Sequence, residues 1–383
     1  MHLPDLGAVR LTEELTALRQ KVRDFIVDEL AAGRFTPRCD AWLTAADPEF
    51  SRRLGRRGWL GMTFPPEYGG TGAGALARFV VTEELLAAGA PVAAHWIADR
   101  QSGPQILRFG TEEQKRAYLP GICRGETFFA IGMSEPDSGS DLASVRTRAR
   151  RVDGGWRVTG TKVWTSGAHY AHAMIALVRT GAGAEDRHAG LSQFIIDLDS
   201  PGVQINPIRL ISGAHHFNEV VLDDVFVPDT RVLGEVGNGW RQVTGELAWE
   251  RSGPERFLST YPLLAAAVDH LADRAGEGDL ARIGALVARL WTLRRMSIAV
   301  ASRLQAGRSP EIEAALVKDL GTRFEQTLAD TVRLLARVEP DPEAACPLPR
   351  LLAEAVLQMP GFTLRGGTNE ILRGVVAKGL GVR

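Results

Sequence analysis

A chain of 383 residues is long enough for two or three domains, and 45% hydrophobic with 24% charged residues is ordinary for a folded, soluble protein. Forty-five basic and 46 acidic side chains leave a formal charge of −1, which excludes the electrostatic footprint of a nucleic-acid or anionic-membrane binder. Apolar runs such as Ala173–Val178 fall far short of the ~20 residues that cross a bilayer.

Leu15, Leu18, Val22, Phe25, Ile26 and Leu30 recur at helix spacing and predict an amphipathic helix near the start. The first fifteen residues carry Asp5, Glu13 and Glu14 and no apolar core of a secretory signal. The Pro- and Gly-punctuated segment Pro65–Gly72 reads as a loop, and helix resumes through Phe79–Ala88 and Glu112–Tyr118. From about Thr127 to Leu233 the texture changes to short runs rich in β-branched and aromatic residues: Phe128–Ile131, Val158–Trp164, Met174–Val178, Phe194–Leu198 and Val220–Val227. Asp153-Gly154-Gly155 sits between Arg148–Val152 and Trp156–Thr161 and reads as a hairpin turn. Strands without intervening helices predict a sandwich or barrel rather than a parallel sheet. After Gly239 the chain is Ala-, Leu- and Arg-rich, with helices expected over Leu263–Ala272, Ile283–Ala306 and Ile312–Leu335.

The fold class expected is therefore α+β and multidomain. A helical N-terminal domain occupies 1–124, a β domain 125–235 and a helical bundle 236–383.

No G-x-G-x-x-G follows a strand, no Walker loop appears, and no G-x-S-x-G elbow is present. The histidine pairs His169/His172 and His215/His216 lack a Cys or carboxylate set at ligand spacing, so no metal site is expected. Cys39, Cys123 and Cys346 are odd in number and widely spaced, which argues against a disulfide framework and for a reducing, cytoplasmic setting. Lysine occurs five times against forty arginines, which reads as coding bias.

The informative stretch is Gly132-Met133-Ser134-Glu135-Pro136-Asp137-Ser138-Gly139-Ser140-Asp141. A strand runs there into small hydroxyl residues and glycines that let a ligand approach the main chain; composition alone favours a plain turn. The segment resembles the signature of the acyl-CoA dehydrogenase family. Lys162-Val163-Trp164-Thr165-Ser166-Gly167 resembles that family's second flavin-contacting strand. The exit from the β domain, Asn218-Glu219-Val220 through Val227-Pro228 and then Gly234–Trp240, and the C-terminal turn Gly366-Gly367-Thr368-Asn369-Glu370-Ile371 match in the same order, and the Pro65–Gly72 loop and Phe109–Lys115 also fit.

The resemblance implies a helical domain, a β domain and a C-terminal four-helix bundle, with FAD as cofactor. It places Met133 and Ser134 at the flavin pyrimidine edge, Trp164 against the ring, Ser166 near N5, and Thr368, Asn369 and Glu370 on the flavin from the C-terminal turn. Ser140 and Arg251 would contact an acyl-CoA or related thioester substrate. An electron-transfer flavoprotein as acceptor and a homodimer or homotetramer, or else a heteromer, also follow from it; the alternatives in function are a non-catalytic subunit of a heteromeric dehydrogenase and a flavin monooxygenase or oxidase of the same fold.

The family reaction removes an α-proton to a carboxylate while the β-hydride passes to the flavin. The common base position, immediately before Gly-Thr in the C-terminal turn, is Gly366 here. Its backbone N–H can still polarise the thioester carbonyl. A second family solution puts the Glu just before an arginine on the helix after the β domain, which makes Glu250 of Trp249-Glu250-Arg251 the expected base and Glu246 the weaker choice. The bland alternative is a helix-surface acid beside Arg251 or Arg256. A carboxylate returned to position 366 is expected to restore part of the rate lost without Glu250. The family's Arg-x-x-Phe-Gly segment is not recognisable between Leu271 and Leu290.

Overall fold

The computed structural model describes residues 7–181 and 186–382, with the side chains of 246–250 outside the described set. The N-terminal half contains α1 (Glu13–Ala31), α2 (Ala41–Thr44), α3 (Pro48–Gly55), α4 (Gly74–Ala87), α5 (Ala93–Ile97), α6 (Gly103–Phe109) and α7 (Glu112–Cys123). Among the described residues eight strands follow: β1 (Phe129–Gly132), β2 (Arg148–Val152), β3 (Gly155–Ser166), β4 (Ala173–Arg179), β5 (Leu191–Asp197), β6 (Val203–Arg209), β7 (His215–Pro228) and β8 (Val232–Leu233). Then come α8 (Gly239–Glu250), α9 (Tyr261–Leu271), α10 (Glu277–Gln305), α11 (Glu311–Ala336), α12 (Pro347–Phe362) and α13 (Asn369–Gly379).

Two compact units divide these elements. One combines Met1–Ala45, Ala73–Pro91 and Ala248–Arg383; the other combines Ala46–Gly72 and Val92–Leu247. The helices of the N-terminal half are thus shared between the units, with α1, α2 and α4 in the first and α3 and α5–α7 in the second.

In the second unit the strands form one hydrogen-bonded sheet in the order β6-β7-β3-β2-β4-β5-β8, with β1 pairing β4 in parallel. β2 and β4 share a single paired position, Arg148 with Arg179, so the sheet folds over at that joint. Val158, Val220, Leu222 and Val225 from one half meet Met174, Ala176, Phe194 and Ile196 from the other in one core. Trp156 packs edge-on against Phe194 across that core at 5.6 Å. The opposite face of β4 and β5, with Ala173, Ile175 and Ile195, packs on Ile106, Leu119 and Ile122 of the helices and on Phe64 of the loop after α3. Both faces of β4 and β5 are therefore covered, which is why Ala173–Val178 of β4 and Phe194–Ile196 of β5 are apolar throughout rather than alternating.

Strand β6 escaped the sequence reading because it is a mostly exposed edge strand containing Pro207. β8 escaped it because two residues carry no pattern.

In the first unit α11 packs against α9, α10, α12 and α13, and α4 joins α1 to α10. Helix α1 begins where Thr12 caps the Leu15 N–H with its side chain, and it buries Val22, Phe25 and Ile26 as the spacing predicts. Helix α11 also buries charged groups, including Lys318 and Glu325. Burial pushes the Glu325 carboxyl up to about 8, although Arg365 and the Ser259 N–H (2.6 Å) oppose the shift.

A carboxyl raised in the folded state is stable while protonated, and that contribution drains away as pH climbs from the unfolded value near 4.5 through about 8. Thermal melts from pH 5 to 9 should therefore show the wild-type midpoint falling with pH more steeply than that of Glu325→Gln. Parallel pH profiles for the two proteins exclude a buried proton at this site.

Candidate functional site

In the second unit the segment after β1 is held by a buried ion pair. Glu135 accepts from the backbone N–H of Arg146 (2.6 Å) and Thr147 (2.9 Å) and from Lys162 Nζ (2.7 Å). Lys162 is wholly inaccessible and also donates to the Met133 carbonyl at 3.2 Å. Burial pulls the Lys162 ammonium down to about 8, and the adjacent Glu135 charge resists that fall. For Glu135 burial acts upward, but the Lys162 charge and the converging donors win and hold the carboxylate below its usual range. The Val163 N–H donates to the Ser134 carbonyl at 2.9 Å, so Met133 and Ser134 are fastened alongside β3.

The register of β3 against β7 shifts between Lys162 and Thr165. Trp164 sits in that bulge with φ +57°, a left-handed conformation that a bulky residue adopts only under constraint. The bulge re-aims the indole outward: its side chain is 56% exposed and makes one edge-to-face contact, with Phe217 at 5.7 Å. Ser166 follows at the strand end, paired with Phe217 in the ladder. Ser140 is exposed, while Ser138 turns back to the Asp141 carbonyl at 2.8 Å.

In the first unit the C-terminal turn runs through Gly366 (φ +67°) and Gly367 (φ +85°), both in the left-handed region that favours glycine. Thr368 then caps α13, its side chain accepting from the Ile371 N–H at 3.4 Å. A Cβ added to Gly366 would lie 2.8 Å from Arg256 Nη2, and one on Gly367 would lie 3.2 Å from Arg251 Nη2. The space a catalytic side chain would take at position 366 is therefore bordered by guanidinium. Asn369 is buried, with Oδ1 accepting from Lys318 Nζ at 2.7 Å; Glu370 is exposed. Hydrogen bonding around the α13 N-terminus, first of all to backbone and then to Thr368, holds the Glu370 carboxyl below its usual value.

The expected residues thus fall into two groups. Met133, Ser134, Ser140, Trp164 and Ser166 belong to the second unit, with Met133 and Ser134 fastened to the strand that carries Trp164. Arg251, Gly366, Thr368, Asn369 and Glu370 belong to the first, where Arg251 lies against the glycine turn. Glu250 is the last residue of α8, and its side chain, like that of Glu246, lies outside the described residues.

The sequence reading assigned no role to Lys162, Lys318 or Arg256. Its own count held a signal for two of them, since lysine is scarce in this chain. Among the described residues no helix is long and apolar enough to cross a membrane.

Comparison with known proteins supplies the remaining observation. The acyl-CoA dehydrogenase N-terminal domain profile matches residues 12–126 and the middle-domain profile matches residues 130–225. The acyl-CoA dehydrogenase FadE29 of Mycobacterium tuberculosis is 32% identical over 96% of this chain and 97% of its own length. FadE34 of the same organism is 34% identical over 98% of the chain, which spans about half (52%) of that longer protein. Among solved structures, the steroid ACAD Tcur3481-Tcur3483 superposes with a TM-score of 0.87 at 29% identity, covering 99% of this chain and 100% of that one. Glutaryl-coenzyme A dehydrogenase in complex with glutaryl-CoA gives 0.84 at 25% identity, covering 98% of each.

Proposed function

The chain belongs to the acyl-CoA dehydrogenase family, and on that premise we propose that it catalyses FAD-dependent α,β-dehydrogenation of an acyl-CoA or related acyl thioester. The observation that carries this reading is Trp164, a large aromatic kept in left-handed backbone and more than half exposed beside the fastened Met133–Ser134 segment. Such an arrangement offers a flat apolar face next to main-chain and hydroxyl groups, and so fits a flavin with its polar edge. Met133, Ser134, Trp164 and Ser166 would hold FAD; for Thr368, Asn369 and Glu370 the flavin contact rests on the resemblance of their motif. When bound, FAD supplies the two-electron acceptor that no side chain can provide.

The chain's own groups then do the rest. The Glu250 carboxylate takes the α-proton, and the Gly366 N–H donates to the thioester carbonyl, where negative charge develops. Ser140 and Arg251 orient the thioester.

We assign the electrons to an electron-transfer flavoprotein. The partner is a second chain of the same fold. Supporting this, Leu280, Val287 and Trp291 form an exposed apolar stripe on α10, in the stretch where the family's FAD-reaching motif is absent. Supporting a heteromer rather than a homodimer, the structural relatives Tcur3481-Tcur3483 and ChsE4-ChsE5 are each named for two chains.

Anaerobic titration with a panel of acyl-CoAs, following flavin bleaching, tests the activity. A protein that retains FAD yet is bleached by none of them is not this dehydrogenase. A colourless protein that acquires FAD only with a homologous chain is the non-catalytic or half-site subunit.

Trp164→Gly separates the ligand role from the structural one. Glycine relieves the positive φ, worth on the order of 1 kcal/mol, so the apo-protein should melt no lower than wild type while FAD affinity drops. A melting loss with unchanged FAD affinity makes Trp164 a packing residue.

A further inference from the structure

In a chain that uses arginine for nearly every cation, a lysine in the interior marks a place where a guanidinium fork does not serve. Only two of the five lysines are fully buried, Lys162 and Lys318. Lys162 has its carboxylate partner in Glu135. Among the described residues Lys318 has none of comparable closeness: its Nζ donates to the Gly367 carbonyl (2.7 Å), the Thr363 carbonyl (3.2 Å) and Asn369 Oδ1 (2.7 Å).

We propose that Lys318 is the positioning residue of the Gly366–Thr368 turn, its ammonium tying the turn's backbone to α11 and so fixing the Gly366 N–H. The inference rests on the proposed function for what that N–H binds, and on geometry alone for how the turn is held.

Three donors meet three acceptors, which is the full complement of an ammonium. Two of those acceptors, Gly367 and Asn369, flank Thr368, and the third lies three residues before Gly366. Upstream of Gly366, Arg365 is clamped by Asp40 in a two-pronged pair (2.6 and 2.7 Å), with its guanidinium 4.5 Å from the Trp42 ring centre. The turn is thus suspended between an arginine clamp on one side and Lys318 on the other. Two successive left-handed glycines have little conformational preference of their own, so such external ties decide where their peptide planes point.

The surroundings make a cation costly at this position. Burial comes first, and Arg256 and Arg251 from the segment after α8 and Arg365 from the turn also oppose the charge. Among the described residues Asp319 on α11 favours it, and Asp319 is shared with Arg323 and with Arg373 of α13. Together they pull the ammonium down to about 7. If volume were all that mattered here, a methionine would fill it without that penalty. The donors are what the position requires.

Hydrogen exchange of the purified full chain, followed by mass spectrometry over residues 363–372, decides the matter. Lys318→Met should speed exchange there by roughly ten-fold or more, because charge-assisted bonds are lost. Lys318→Gln, with two donors, should fall between Met and wild type, and the interior of α12 should keep its protection. Where an acyl-CoA reduces the flavin, that rate should follow the same order. In the wild type, protection corrected for intrinsic rate should fall from pH 6 to 8.5, as the ammonium becomes an amine with two donors.

Exchange at the wild-type rate in Lys318→Met, or loss spread evenly over the first unit, overturns the proposal. So does a pH-independent wild type, which decides the case if Lys318→Met does not fold. Failure of every acyl-CoA to bleach the flavin sinks the proposed function while leaving the exchange result to stand for Lys318.

Discussion

Glu250→Gln should slow anaerobic flavin reduction by an acyl-CoA by at least about 100-fold, the lower end of what a positioned base contributes. FAD and thioester binding should stay close to wild type, because glutamine keeps the shape and loses only the proton acceptor. Adding Gly366→Glu should return none of that rate, although from sequence alone partial rescue was expected. Position 366 has φ +67°, so any side chain there is strained, and its Cβ would sit 2.8 Å from Arg256 Nη2. A carboxylate placed beside Arg256, with Arg251 against the next glycine, would be held ionised and paired, and a carboxylate so stabilised is a poor base. Stopped-flow reduction of the single and double variants measures both effects. A wild-type rate in Glu250→Gln would make Glu250 a helix-surface acid and turn attention to Glu246. Recovery in the double variant would show that the arginines yield at position 366.

The second large effect concerns Lys162. Replacing it with methionine leaves the Glu135 carboxylate buried with its strongest partner gone, and breaking a buried pair from one side costs about 3–5 kcal/mol. Glu135→Gln should cost less. Lys162, already down to about 8, can shed its proton, and the glutamine oxygen can still accept from the Arg146 or Thr147 N–H. Urea unfolding should therefore rank wild type above Glu135→Gln and Glu135→Gln above Lys162→Met. FAD retention should follow the same order, since Met133 and Ser134 are fastened through this pair. The reverse ranking would mean that the carboxylate, with its backbone donors, holds the segment unaided.

What was legible in the sequence was whatever leaves a period or a punctuation mark. The α1 stripe from Leu15 to Leu30, the Asp153–Gly155 hairpin and the long helices of the first unit all carry their own local signal. The motif residues were legible because each segment is short and contiguous. The ties between segments were not, because a side chain such as Lys318 announces neither its burial nor its three acceptors in linear order. Nor does sequence show that Trp164 sits in a bulge, since the register shift that turns the indole outward depends on how β7 pairs with β3. Gly366 could be read as a missing base, but the arginines that fill in around it come from a segment more than a hundred residues earlier.

The division of the chain also sets an order of completion. The second unit has all its residues once the chain reaches Leu247. The first does not: Cys39 waits for Glu354 and Asp40 for Arg365, partners 315 and 325 residues further along. Contacts so distant in sequence must close a long loop before they repay any of its entropy, so they form late. Helix α2, although made early, completes its packing among the last elements, and until Ser259 and Arg365 arrive Trp42 is apolar surface that a growing chain must keep from its neighbours.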